Sequence, residues 1–351
     1  MTEAKKKKTV GSFINNVLTG TAVAVVVALI PNAILGELFK FLMGQGMTGL
    51  APLAEAARLL QFTLSLMAGV LVGIQFKLAP MQSLAVGGAA FLGSGAWKLI
   101  TVDGKSLFQL AGIGDMINTM LTAALAVIVI QLVAHHFGSL NIILLPMVSL
   151  VVGYVGMVFY PYVSSVTTAA GALINNFTAL APLPMSILIG MSFAFFIISP
   201  LSTVALGVAI GLNGVAAGAS AMGVAATTAV LVVSTYRVNK PGVPIAIALG
   251  SMKMMMPNFF RNPIMIVALL ANAVVCAVPV ALFSISGTAA SSGFGLVGLV
   301  GPIASLTTLS VPMMVVCWIV VPFASAIAID YVCVNVFKLY THDIFKFESV
   351  H

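Results

Sequence analysis

The sequence predicts an all-α polytopic membrane protein with about ten transmembrane helices and re-entrant elements in its C-terminal half. Three observations carry this expectation. Of the 351 residues 61% are hydrophobic and 7% charged, against roughly 25% charged residues in an average soluble domain. The apolar runs recur at a spacing that suits about 20 residues per span with short connections, which accounts for the chain without a fused soluble domain. The C-terminal half is broken at several places by Gly, Pro, Ser and Asn. Irregular backbone at membrane depth is tolerated only where protein buries it or water lines it, so such breaks are where a polar solute would be held.

Taken in order, the first span covers about Phe13–Met43 behind the basic run Lys5–Lys8, which supplies more than half of the net charge of +7. That run reads as a topology anchor, not a nucleic-acid signal. The apolar stretch after it is longer than a signal peptide's and lacks a small-residue cleavage site, so it is expected to be retained with the N-terminus in the cytoplasm. Pro31 lies mid-span, and Glu37 and Lys40, three apart on one helical face, neutralise each other. Glu55 and Arg58 repeat that spacing at the start of the second span, as a local ion pair or a substrate contact. The span ends at Phe76 with Lys77 at an inner end. A Gly- and Ala-rich third span, Pro80–Ile100, leads to a turn bearing Lys98, Asp103 and Lys105. Asp115 and Asn118 open the fourth span one turn apart, where an acid is favoured as a helix cap; both are kept as polar candidates. The adjacent His135 and His136 close it and point in different directions, poor geometry for a shared metal. The fifth span is Asn141–Tyr160, stopped by Pro161, and Thr167–Leu180, with Asn175 and Asn176, lies along the membrane surface.

The second half is less regular. Pro184–Ile198 is apolar and breaks at SPLSTVALG, Ser199–Gly207; Leu201–Val233 is too long and too rich in Gly and Ala for one span and breaks again at Gly211–Gly214. A hairpin entering partway and then a span to Val233 fits it, with Arg237 and Lys240 at the inner end. Pro241–Ser251 is apolar but only half a membrane long, which predicts a second re-entrant element leading into the next stretch. GSMKMMMPNFFRNP, Gly250–Pro263, concentrates charge, amides and helix breakers, and reads either as a cytoplasmic turn or as part of a binding site. Ile264–Phe283 is a span, Ser284–Pro302 is Gly- and Ser-rich and re-entrant, and Val311–Val336 closes the membrane part. The charge distribution puts both termini in the cytoplasm.

The candidate substrate-binding residues are Ser199, Ser202, Thr203, Asn213, Ser251, Lys253, Asn258, Thr288, Ser291 and Ser292, together with backbone amides at broken-helix ends. For any single hydroxyl the alternative is close helix packing by a small residue. Lys253 is the better ligand candidate and Arg261, beside Pro263, the topology anchor. No Asp, Glu or His occurs from Phe137 to Ile329, and Asp330 lies near the end of the last span, so the solute is expected to be neutral or anionic. Met252, Met254, Met255 and Met256 surround a helix and read as packing, not soft-metal ligands. Cys276, Cys317 and Cys333 lack CxxC spacing. No catalytic residue, metal site, cofactor motif or nucleic-acid pattern is expected.

The series NVLTGTAVAVVVALIPNAILGELFK, GIGDMINTML, SPLSTVALG, GSMKMMMPNFFRNP and GTAASSGFGLVGLVGP resembles, in order and over nearly the whole chain, the membrane-embedded EIIC components of the phosphoenolpyruvate-dependent phosphotransferase system. The likeness is to the stand-alone group without fused EIIA or EIIB. The resemblance implies a homodimer in the bacterial cytoplasmic membrane, two re-entrant hairpins and elevator-like movement. It implies a cytoplasmic segment 1–12, a dimerisation domain 13–163, an interfacial linker 164–181, a transport domain 182–336 and a cytoplasmic tail 337–351. Sugar-transporting members use a carboxylate, and often a histidine, that this stretch lacks, and phosphorylation would need separate EIIB and EIIA proteins. Two functions follow as expectations: an EIIC-like permease for a small polar, sugar-like solute, or a non-transporting sensor or scaffold on the same fold.

Overall fold

The computed structural model describes residues 9–289 and 291–347. The run Lys5–Lys8 and the side chains of Glu37 and Lys40 lie outside the described residues. The first elements are α1 (Val10–Pro31), a π turn (Asn32–Gly36), α2 (Glu37–Gly44), α3 (Ala51–Gln61), α4 (Leu64–Gln75) and α5 (Pro80–Gly93). A β-hairpin follows, β1 (Trp97–Val102) and β2 (Lys105–Leu110), then α6 (Met116–Phe137) and α7 (Asn141–Phe177). The remainder is α8 (Pro182–Ile198), α9 (Thr203–Ala209), α10 (Gly214–Tyr236), α11 (Gly242–Ala248), α12 (Met256–Arg261), α13 (Met265–Leu282), α14 (Val300–Ser305), α15 (Val311–Val315) and α16 (Val321–Tyr331).

Among the described residues six helices are long and apolar enough to cross a membrane: Val10–Leu29, Met116–His136, Asn141–Phe177, Gly214–Tyr236, Met265–Leu282 and Val311–Val336. Thr48–Gln61 with Leu64–Gln75 adds a seventh if the pair is one span. The difference from ten arises largely where the sequence packs an apolar run into a short helix, such as the 14 residues of α5 and the 17 of α8. The chain is a polytopic, mainly helical membrane protein.

Three local expectations are corrected. The third span stops at Gly93, and Trp97–Leu110 forms an antiparallel hairpin in register Trp97↔Leu110 to Val102↔Lys105. Its turn residues Asp103 and Gly104 have φ of 49° and 76°, the left-handed pair of a two-residue hairpin turn, for which Asp-Gly is a preferred sequence. Pro161 does not end α7, which continues to Phe177 over 37 residues. A proline removes one hydrogen bond and crowds the preceding turn, and membrane helices accommodate this because neighbouring groups satisfy the freed carbonyl. The stretch expected to be a surface linker is therefore the last turns of α7. Finally, Pro31 closes α1 and is followed by a π turn in place of an unbroken first span.

The chain forms two compact units, Met1–Ala24 with Thr63–Tyr160, and Val25–Phe62 with Pro161–His351. In the first, α4 and α5 pack closely, with Gly69 against Gly87 and Ala90. Asp115 caps α6 by accepting from the Asn118 amide at 2.9 Å, and the buried Asn118 side chain donates to the carbonyls of Gly93 and Gly156 at 2.5 and 2.9 Å. One amide thereby ties the end of α5 and the middle of α7 to the start of α6.

The second unit is built around α10, whose Gly, Ala, Ser and Thr residues let α8, α13 and α16 approach its backbone. From Ala216 to Leu231 every α10 residue is buried. Asn272 of α13 donates to the carbonyls of Ala226 and Pro322 at 2.9 and 3.2 Å and accepts from Ser325 at 2.6 Å, joining α10, α13 and α16. Their packed faces hold the core of this unit, and the chain breaks lie along its flanks.

Candidate functional site

The breaks in the second unit meet at one junction. After α8 ends at Ile198, the Lys253 ammonium donates to the carbonyls of Ser199 and Leu201 at 2.5 and 2.6 Å. The Ser199 carbonyl is at the C-cap of α8 and the Leu201 carbonyl is in the break that follows; a helix end leaves its last carbonyls without internal partners, and a cation there also suits the helix dipole. The Thr203 hydroxyl donates to the Gly293 carbonyl at 2.9 Å, and Ser292 packs against Gly207. Gly293 has φ of +81°, and a Cβ there would lie 2.6 Å from the Thr203 backbone, so only glycine fits both the turn and the approach. Gly250 faces Val297. The segments 199–207, 250–253 and 291–297 thus come together, as do the candidates Ser199, Thr203, Ser251, Lys253, Ser291 and Ser292 within them.

Most of those polar groups are already occupied by backbone. Ser199 donates to Phe196 at 2.8 Å and accepts from the Leu201 amide at 3.2 Å. Thr288 and Ser291 bond each other's backbone amides at 3.2 and 2.8 Å, a reciprocal turn cap, and Ser292 donates to Ala289 at 2.8 Å. Ser202 opens the turn into α9. The Ser251 hydroxyl, 1% exposed, has no hydrogen-bond partner among the described residues. The four methionines of the same stretch are buried packing residues.

Asn258 points elsewhere, donating to the carbonyls of Ile344 and Lys346, both at 2.8 Å. Asn239 at the end of α10 grips the same segment, donating to Phe345 at 2.8 Å and accepting from the Phe347 amide at 2.7 Å. Phe345 is fully buried between these clamps. His342 lies 3.0 Å from Asp330, whose buried carboxylate also accepts from Ser234 at 2.9 Å and sits 3.6 Å from Arg237. Burial, aided by Cys333 and Asp330, raises the Tyr340 hydroxyl above its usual range and keeps it neutral. The tail is therefore a built part of the second unit. Neither Asp330's neighbours nor this strap was visible in the sequence, because their partners are far apart in it.

A cavity of about 360 Å³ opens where α7 ends and α10 begins, lined by Asn175, Thr178, Met185, Ile210, Gly211, Leu212, Asn213, Val215 and Ala216. It is at the lower end of the 300–1,000 Å³ typical of small-molecule sites. Asn213 precedes α10 without capping it with its side chain, and the first-turn amides of Val215 and Ala216, like those of any helix start, have no partner within the helix. The Asn213 amide donates to Gly211 at 2.8 Å, leaving its oxygen at the exposed rim. Gly214 and Gly287 exchange backbone hydrogen bonds of 3.0 Å, tying this helix start to the turn at Thr288. Met185 and Ser199 are 14 residues apart on α8, so the cavity lies roughly 20 Å along that helix from the Lys253 junction.

Asn213 is thus the sequence-expected residue that lines the cavity, and Asn175 and Thr178 are lining residues that the sequence reading passed over. Their signal was the Asn175–Asn176 pair in an otherwise apolar stretch. Asp115 and Asn118 belong to the first unit and serve the cap and tie described above. Glu55 and Arg58 form an exposed ion pair at 3.9 Å. His135 and His136 have ring centroids 5.5 Å apart, and no group of three or more His, Cys, Asp or Glu among the described residues could hold a metal.

No curated protein and no solved structure matches the chain. The family model described as the phosphotransferase system EIIC domain matches residues 15–347. With nearly all of its length covered, the chain belongs to the phosphotransferase system EIIC family, the membrane transporter components of that system.

Proposed function

We propose that this chain is an EIIC-like permease for a small polar, sugar-like solute, neutral or anionic, that occupies the cavity at the start of α10. The observation that carries the reading is the cavity's lining: amide side chains of Asn175 and Asn213, a Thr178 hydroxyl, and an uncapped helix start whose free N–H groups favour electronegative ligand atoms. Asparagine amides offer both donor and acceptor to hydroxyl groups. The absence of Asp, Glu and His from 137 to 329 speaks against a cationic solute. In this reading the second unit carries the solute by elevator-type movement, its segments 199–213 and 286–310 are the two re-entrant hairpins, and the first unit holds a homodimer in the bacterial cytoplasmic membrane. Both termini face the cytoplasm, where separate EIIB and EIIA proteins would supply any phosphorylation.

The fold is also compatible with a sensor that binds the same solute without moving it, and the hydrogen bonds that tie the junction together favour a rigid hub there. The two are separated by screening purified protein against sugars, nucleosides and organic anions for thermal stabilisation, then measuring flux of each hit in liposomes. The permease reading expects saturable uptake of a stabilising solute; stabilisation without flux of any hit supports the sensor and overturns the permease.

A further inference from the structure

Among the described residues, the β-hairpin of the first unit exposes an apolar surface. Every residue of β2 is exposed, with Phe108 77%, Leu99 59% and Leu107 49% accessible. Strand alternation and the register place Trp97, Leu99, Phe108 and Leu110 on one face, with the Trp97 and Phe108 rings edge to face at 5.6 Å. The other face carries Lys98 and Lys105 among Ile100, Val102, Leu107 and Gln109. A lone two-stranded hairpin is at best marginally stable in water, and a cluster of exposed large apolar residues marks an interaction surface.

Its base fixes where that surface lies. The Ala111 amide donates to the Ala96 carbonyl and the Asp115 amide to the Ser94 carbonyl, both at 2.7 Å, and the next residue, Met116, begins the spanning helix α6. The hairpin therefore leaves the helical part of the unit at the level where α6 begins. Along α6, Leu121, Ile128 and Leu132 are exposed, so the lipid-facing surface runs up to the hairpin's base. Trp97 at the hairpin's base with Lys98 beside it, and Lys105 at the turn end, is the composition of the membrane interface, with rings among headgroups and ammonium groups toward phosphates.

We propose that the hairpin Trp97–Leu110 is a membrane-interface anchor: its Trp97–Leu99–Phe108–Leu110 face rests on the upper acyl chains of the bilayer, and Lys98 and Lys105 engage phospholipid phosphates. A second copy of the chain pairing along the open strand edge is the competing occupant. The two tryptophans of the chain make the test direct, since Trp318 is buried. The full chain and its Trp97→Phe variant are reconstituted in phosphatidylcholine vesicles, with or without lipid brominated near the headgroup end of the acyl chain, and the difference between their emissions reports Trp97. A tryptophan lodged at that level is expected to lose about half or more of its emission to the brominated lipid and little to aqueous acrylamide. In the Lys98→Gln/Lys105→Gln variant that emission should shift to the red. Quenching by acrylamide and not by lipid overturns the proposal. Protection from both quenchers, relieved on dilution to about one chain per vesicle, assigns the face to a second copy and also overturns it.

Discussion

Asn258 and Asn239 each spend two hydrogen bonds on the backbone of residues 344–347. Leaving buried amide and carbonyl groups unpaired costs about 1–3 kcal/mol each, so Asn258→Ala and Asn239→Ala should both lower the thermal midpoint in detergent and speed tryptic release of the tail at Lys338 or Lys346. Wild-type cleavage rates in both variants would show that the strap is held by Phe345 alone. Lys253 is a comparable case with a different partner. Lys253→Met strips a donor from two carbonyls in the break after α8, and should lower the thermal midpoint more than Arg261→Gln does; the reverse order would remove Lys253 from its role at the junction. These roles were illegible in the sequence for a simple reason: Asn258 and its acceptors are separated by 86 and 88 residues, so an amide in a polar stretch between apolar runs looks the same whether it binds solute or chain.

At the scale of elements, the breaks were legible and their contents were not. Gly and Ser runs cannot hold a lone membrane helix, and the segments beginning at Ser199, Gly250 and Gly287 are indeed interrupted. The hydroxyls in them were open to two readings, and the backbone takes most of them. The close approach at the junction gives its own test: Gly293→Ala combines a left-handed φ of +81° with a Cβ 2.6 Å from the Thr203 backbone. A cost of about 2 kcal/mol or more is expected from strain of this kind, read as a lower thermal midpoint. An unchanged midpoint would mean that the two segments are not locked together. The β-hairpin shows the opposite failure of reading. Asp103–Gly104 is a strong local turn signal, but the strands around it are apolar enough to pass for the end of a span. Pro161 was over-read, because a proline inside a long membrane helix is a local defect and not an end.

At the scale of the whole molecule, the membrane class and family follow from features spread over the entire chain: low charge, repeated apolar runs and an ordered series of short motifs, matched by the EIIC family across residues 15–347. The cavity needed the fold, since it joins the end of α7, the start of α8 and the turn before α10. Asn175 and Asn213 are both exposed at its wall, so replacing them should leave folding nearly intact, within about 0.5 kcal/mol for surface substitutions, while removing contacts to solute hydroxyls. The most direct measurement is initial uptake rate in proteoliposomes, comparing wild type with Asn175→Ala/Asn213→Ala at equal amounts of folded protein. Losing two hydrogen bonds of about 1–1.5 kcal/mol each predicts a rate at limiting solute that falls by roughly ten-fold or more. Uptake by the double variant at the wild-type rate would contradict the assignment of the solute to this cavity.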